Sequence, residues 1–193
     1  IKKYYNREAQ VVYPFVDVKY FGQVEPFEGG YLLTIARLNK YKRVDIIIEA
    51  AKKLNIPLKI VGVGPEEESL KKQAHLNNIE FLGLVEEEVL RMLLSGCKAL
   101  VVAAEEDFGL TPLETQALGK PVIAYRKGGV LETVKEGVTG YFFDHLTMDS
   151  LVEALLTLDK SGYNVKECQK QAARFSKRRF IDQFKKFLST YEL

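Results

Sequence analysis

The sequence predicts an α/β protein built on a Rossmann-like, doubly wound parallel sheet of about six strands. Three observations carry that prediction. Short apolar runs alternate with helical stretches along most of the chain. Several runs are apolar at consecutive positions, as strands covered on both faces must be. The helical stretches are long enough to cross between parallel neighbours.

Taken in order, the first 29 residues are the least regular. Residues 11–13 read as a candidate strand, and Pro14 and Pro26 punctuate a lead-in before Gly29 and Gly30 open the main sheet. Strands are expected at residues 31–36 (YLLTIA), 58–61 (LKIV), 79–82 (IEFL), 99–103 (ALVVA), 121–124 (PVIA) and 140–143 (GYFF). Helices are expected between them at residues 44–54, 66–76, 87–95, 112–118 and 130–135. Three more follow the last strand, at residues 148–158, 165–173 and 177–191. The final one carries Phe180, Phe184, Phe187, Leu188 and Tyr191 at three- and four-residue spacing, with Lys177, Arg178, Arg179, Lys185 and Lys186 on its other faces. It reads as an amphipathic helix docking onto the protein core. A basic helix in peripheral contact with a membrane is the alternative. The division is thus a lead-in over residues 1–29 and one domain over residues 30–193, the last helix included.

Composition narrows the function classes. The 28 Lys and Arg nearly balance the 26 Asp and Glu, which argues against bulk nucleic-acid binding. A chain of 193 residues can bury about 70% of its unfolded surface, so it needs no disulfide or metal staple. No apolar run approaches the ~20 residues of a membrane span. The chain opens at Ile1 with Lys2 and Lys3 and no apolar leader run, and reads as a piece of something longer. Cys97 and Cys168 lie far apart, outside any CxxC and away from histidine, and read as packed small side chains rather than ligands. His75 and His145 stand alone and read as surface residues.

In a doubly wound sheet, ligands bind beyond the carboxyl ends of the strands, so the chemistry is sought in those loops. The richest follows residues 99–103: Ala104-Glu105-Glu106-Asp107-Phe108-Gly109-Leu110-Thr111-Pro112-Leu113-Glu114. Three carboxylates come first, then a glycine, then a helix start with Thr111 as N-cap and Pro112 at the first helical position. Thr111 and Glu114 have capping-box spacing, which gives Glu114 a purely local role to set against a ligand role. The amino end of this helix suits a phosphate, whereas the carboxylates suit hydroxyl groups. Acids for hydroxyls beside amides for phosphate make a site suited to a sugar nucleotide. The loop after residues 31–36 supplies cations, Arg37, Lys40, Lys42 and Arg43, of the kind that clamps a diphosphate. Gly62-Val63-Gly64-Pro65 is an incomplete dinucleotide fingerprint followed by Glu66, Glu67 and Glu68. It reads as a structural turn, not a nicotinamide-cofactor site. No GxSxG, HExxH or P-loop is present.

These residues together resemble a known family. The segments LTIARLNKYKR, FLGLV, EEDFGLTPLETQA, GKPVIA and GGVLETVKEGVTG are similar to the C-terminal, donor-binding domain of retaining GT-B glycosyltransferases, over almost the whole chain. The family's E-x7-E motif falls on Glu106 and Glu114, and residues 11–21 resemble its crossover from an N-terminal domain. The resemblance implies one half of a GT-B fold. It implies that Arg37 and Lys42 bind the donor diphosphate and that Glu106 faces the transferred sugar, these three being the catalytic set. Glu114 would then hydrogen-bond the ribose. Phe108, Gly109 and Leu110 would offer backbone to sugar and phosphate, and Leu84 and Val85 would lie near the base. Gly128 and Gly129 shape a nearby loop and are assigned no chemistry. Arg43 stands where many members have glycine, and either adds a contact or projects into solvent.

The resemblance is nearest to mannosyltransferases that use GDP-mannose, with UDP- and ADP-sugars as alternatives. It implies a glycan or lipid-linked acceptor held by a missing N-terminal domain, no cofactor and no metal requirement. It also implies work in polysaccharide biosynthesis in the cytoplasm, including the inner face of the membrane. Glu106 would act by electrostatics and positioning, or as a nucleophile. A nucleotide-binding regulatory or interaction module without transferase activity is the reading from another class.

Overall fold

The computed structural model describes residues 2–75 and 78–190. Short helices α1 (Lys2–Tyr5) and α2 (Val18–Phe21) precede β1 (Tyr31–Ile35). A single 3-10 turn, Lys40–Lys42, leads into α3 (Val44–Leu54), β2 (Leu58–Val61), α4 (Glu67–Ala74) and β3 (Ile79–Gly83). Then follow α5 (Glu87–Gly96), β4 (Cys97–Val102), α6 (Leu110–Ala117), β5 (Val122–Tyr125), α7 (Val130–Thr133) and β6 (Gly140–Phe143). The chain closes with α8 (Met148–Ser161), α9 (Val165–Ala173) and α10 (Lys177–Ser189). The expected sites Leu76 and Tyr191, at the ends of two helices, lie outside the described residues.

The six strands form one parallel sheet in the order β3-β2-β1-β4-β5-β6, the doubly wound arrangement the alternating pattern predicts. Leu33 of β1 is in register with Lys59 of β2 on one side and with Leu100 of β4 on the other. Successive strand residues enter opposite cores, which is why the strands are apolar at consecutive positions. Leu32, Ala99 and Val101 belong to the cluster built with α3, α4 and α8. Leu33, Leu100 and Ala124 belong to the cluster built with α2, α5, α6 and α9.

The lead-in packs on that second face. Val16 and Phe21 are buried in its core, Val16 bridges Ser176 in parallel fashion, and the buried Lys120 ammonium donates to the Phe27 carbonyl. Residues 11–13 are not a strand. Pro14 removes the next ladder donor, and the Tyr13 ring is taken up by contacts with Phe108 and Phe175. The last helix also differs from expectation, because no residue of α10 is buried. Phe180 meets Phe15 and stacks on Phe184, which is exposed, so docking onto the core is slight. Cys97 and Cys168 are free and buried, and burial pushes each thiol up to about 12. Among the described residues no helix is long and apolar enough to cross a membrane.

Arg43 caps the 3-10 turn with φ 50° and ψ 40°, a left-handed backbone that favours glycine. Its guanidinium forks onto the Asp45 carboxylate at 3.0 and 2.9 Å, so it adds a contact but does not line the main cavity. The left-handed conformation costs a side-chain-bearing residue about 1–2 kcal/mol, and a partly exposed pair returns about 0–1 kcal/mol. Arg43→Gly is therefore expected to leave stability within about 1 kcal/mol of the parent or raise it. Arg43→Val, β-branched and unable to pair, is expected to lower it by more than that. Urea denaturation of both variants checks the difference.

Candidate functional site

The sheet order makes β1 and β4 neighbours whose following loops diverge to helices on opposite faces. A cavity of about 1020 Å³ opens there. Ile35, Val61, Leu100 and Val102, at strand ends, form its floor. One wall is Arg37, Tyr41 and Lys42, from the loop after β1. The opposite wall is Glu106 to Pro112, from the loop after β4 and the first turn of α6. Leu84, Val85 and Leu90 close one end beside Gly62 and Val63. Every sequence-predicted site residue except Glu114 lines this one cavity. Tyr41, Asp107, Thr111 and Pro14 line it as well and were not among the site residues expected from sequence.

Opposite charges meet across it. The Lys42 ammonium donates to Glu106 Oε1 at 2.6 Å, with the two side chains only 15% and 27% exposed. The neighbouring carboxylate of Glu105 turns away to Lys127 at 3.0 Å. The carboxylates of the loop are therefore not one acidic patch. One neutralises a cation inside the cavity and one faces outward. Arg37 is exposed at the rim and makes no ion pair among the described residues, so its five-donor fork faces the cavity unengaged by them.

The helix start corrects an expectation. Helix α6 begins at Leu110 with Gly109 as its N-cap and no side-chain cap. Thr111 is already helical and Pro112 stands third, so Thr111 and Glu114 form no capping box. The amides of Leu110 and Thr111 lack a carbonyl one turn back and point toward the cavity end of the helix.

The loop before that helix is held by backbone contact. The Gly129 amide donates to the Glu106 carbonyl at 2.6 Å, and Gly128 bridges Glu106. A Cβ on Gly129 would stand 2.3 Å from Phe108 Cα, and one on Gly128 would stand 2.3 Å from the Glu106 carbonyl oxygen. This glycine pair, legible in the sequence but given no role there, sets where Glu106 stands. The GxG turn braces the other wall in the same way: Leu38 donates its amide to the Val63 carbonyl, and a Cβ on Gly62 would meet the Ala36 carbonyl at 2.0 Å. It is a structural turn, as the sequence indicates.

Glu114 lies one turn further along α6, outside the cavity lining. Its carboxyl makes no hydrogen bond or ion pair among the described residues. Burial, with a smaller contribution from the Glu87 carboxylate on α5, pushes its pKa up from about 4.5 to about 7. A largely buried carboxyl without a donor makes Glu114 a candidate site residue rather than a helix cap.

Comparison with known proteins follows this geometry. The family model described as "Glycosyl transferases group 1" matches residues 20–178. The O-antigen chain mannosyltransferase C of Escherichia coli is 28% identical over 200 residues, covering 95% of this chain and 52% of that protein. The N-acetyl-alpha-D-glucosaminyl L-malate synthase of Bacillus anthracis is 28% identical over 207 residues, covering 97% of this chain and 53% of that protein. The chain thus spans about half the length of these relatives. The crystal structure of Anabaena Alr3699/HepE in complex with UDP and glucose superposes with a TM-score of 0.76 at 22% identity, over 93% of this chain and 56% of that one. That likeness establishes the shared fold.

The Glu114 shift fixes a pH dependence. Its folded value lies above its unfolded value, so its favourable contribution to stability is complete below pH 4.5 and is lost as pH rises through about 7. Glu114→Gln removes the buried charge. It is expected to raise stability at pH 8 by about 3 kcal/mol, at about 1.4 kcal/mol per pKa unit, or roughly 6–12 °C in Tm. At pH 4.5 the variant and parent should melt together, and paired scanning calorimetry at the two pH values checks this.

Proposed function

The chain belongs to the glycosyl transferases group 1 family, and on that premise we propose that it is the donor-binding domain of a retaining glycosyltransferase. In this reading residues 1–29 arrive from an acceptor-binding domain, and the domain proper is residues 30–193. The observation that carries the reading is the convergence of Arg37, Lys42 and the unpaired amides of α6 on one cavity at the switch point, with Glu106 between them.

The chemistry follows from the charges. Cleaving a sugar–diphosphate bond develops negative charge on the departing diphosphate and positive charge at the anomeric carbon. Arg37 and Lys42 stabilise the former as prepositioned cations, assisted by the amides of Leu110 and Thr111. Phe108 and Gly109 present backbone to the sugar and phosphate. Glu106 faces the sugar and acts by electrostatics and positioning, held at the cavity wall by its ion pair with Lys42. Glu114 accepts from the ribose hydroxyls, which gives its buried carboxyl the donors it lacks. Leu84 and Val85 supply the apolar surface beside the base.

The donor is GDP-mannose in this proposal. Similarity to a protein named as a mannosyltransferase supports the sugar, and the UDP and glucose held by the HepE structure make UDP-sugars the comparison arm. The acceptor is a glycan or lipid-linked saccharide in polysaccharide biosynthesis, on the cytoplasmic side of the membrane. Fixed cations supply the countercharge for the diphosphate, so no metal or cofactor is required. Among the described residues no His/Cys/Asp/Glu group is suited to a metal ion.

Arg37→Ala and Lys42→Ala are each expected to weaken GDP or UDP binding by about 1–3 kcal/mol, the range for charged hydrogen bonds. Isothermal titration checks this, and unchanged affinity in both variants removes the clamp. The same titration with EDTA should match the one with Mg²⁺. If EDTA abolishes binding and Mg²⁺ restores it, the metal-free proposal fails.

The 193-residue chain alone should bind donor nucleotide without transferring sugar, because the other cleft wall and the closure that excludes water are absent. Incubation with radiolabelled GDP-mannose and acceptors, beside the longer enzyme, tests this. Product formed by the chain alone at a comparable rate would overturn it.

A further inference from the structure

We propose that Tyr13, on the lead-in, is a positioning residue that holds the donor-contacting loop of residues 106–109 through the ring of Phe108. The effect on donor binding rests on the function proposed above, whereas the effect on the loop does not.

Three rings and one hydrogen bond make the case. Tyr13 stacks on Phe108 with centroids 5.6 Å apart and planes 26° from parallel. Both rings meet the edge of Phe175, at 5.6 and 5.5 Å. Phe175 is buried in the second core, so it is the fixed wall against which the other two are set. The Tyr13 phenol then donates to the Glu132 carboxylate on α7.

That last contact closes a circuit. Helix α7 follows directly on Gly129, whose amide holds the Glu106 carbonyl. The loop is therefore gripped at Glu106 by the glycine pair and at Phe108 by Tyr13, and Tyr13 is itself anchored to the helix that carries the glycine grip. A ring serving only to fill core would be buried. Tyr13 is half-buried, and its hydroxyl reaches an exposed carboxylate. The next residue, Pro14, lines the cavity. Residues 2–11, just before, are exposed, so a displacement of that segment would reach the loop through one side chain.

In the proposed function the grip acts at the sugar end of the site, since Tyr13 stacks on Phe108, on the wall opposite Arg37, and Leu84 and Val85 are assigned to the base. Loss of the ring should loosen the loop and weaken binding of a nucleotide sugar more than binding of the bare nucleoside diphosphate. Tyr13→Phe keeps the stack but loses the Glu132 anchor and should loosen the loop only slightly, whereas Tyr13→Leu keeps apolar volume without the stack and should loosen it fully.

The test is backbone ¹⁵N relaxation on the parent, Tyr13→Phe, Tyr13→Leu and Tyr13→Ala. It is followed by titration with GDP, UDP, GDP-mannose and UDP-glucose. In Tyr13→Ala and Tyr13→Leu, the order parameters of Glu106 to Gly109 should fall from the rigid range near 0.85 toward the flexible range below about 0.6. Those of β1 and β4 should not change, and Tyr13→Phe should lie close to the parent, with a smaller fall than Tyr13→Leu. Affinity for the nucleotide sugar that binds should drop about fivefold, as loss of an aromatic pair implies, with the bare diphosphate affected less. An unchanged loop in Tyr13→Leu overturns the proposal, and so does an equal loss in Tyr13→Phe. If Tyr13→Ala does not fold, Tyr13→Leu decides. A loosened loop in a parent that binds none of the four nucleotides sustains the positioning role and refutes the donor-binding function.

Discussion

Everything in this molecule's candidate site depends on one constraint: two parallel strands, β1 and β4, pair side by side while their following helices leave to opposite faces of the sheet. Backbone pairing forces the two carboxyl ends together, and the divergence of the chains forces the space above them open. The cavity needs no further device to exist. Its floor is the apolar ends of strands that both cores already require, and its walls are the first residues the chain places after each strand.

Charge then divides between those walls. The loop after β1 is cationic and the loop after β4 begins with carboxylates, so Lys42 and Glu106 neutralise each other across the cavity. An unpaired charge at that depth would be costly, and the pair removes the cost while leaving Arg37 and the α6 amides unengaged. Under the proposed function, a diphosphate would replace Glu106 as the partner of Lys42 and leave Glu106 facing the anomeric centre.

Precision in such a site comes from contacts remote in sequence. The Glu106 loop has no regular structure of its own, and it stands where it does because Gly128 and Gly129 admit its backbone to within a distance that any side chain would forbid. On its other side, Phe108 is set between rings from the lead-in and from the segment after α9. The loop between β4 and α6 is thus a suspended element, fixed at two points to a rigid scaffold, as preorganised sites generally are.

The sequence by itself determined what depends on local chemistry. Apolar runs, helix lengths and their alternation marked all six strands and the sheet class, because burial on two faces leaves a run that needs no partner to be read. The cations after β1 and the carboxylates after β4 were legible as candidate site residues from their places at strand ends, whereas the E-x7-E pairing was implied by the family resemblance. Tertiary structure alone decided the rest. The pairing of Lys42 with Glu106 spans 64 residues. The grip of the glycine pair on Glu106 depends on backbone separation that composition does not encode. Residues 11–13 have strand composition but find rings instead of an open strand edge. Glu114 shows the division within a single residue. Its spacing from Thr111 satisfies a local capping rule, yet the loop turns at Gly109, the helix starts at Leu110, and the carboxyl is left buried without a donor. Where a helix begins is settled by how the preceding loop is tethered, and that tether is made by residues far along the chain.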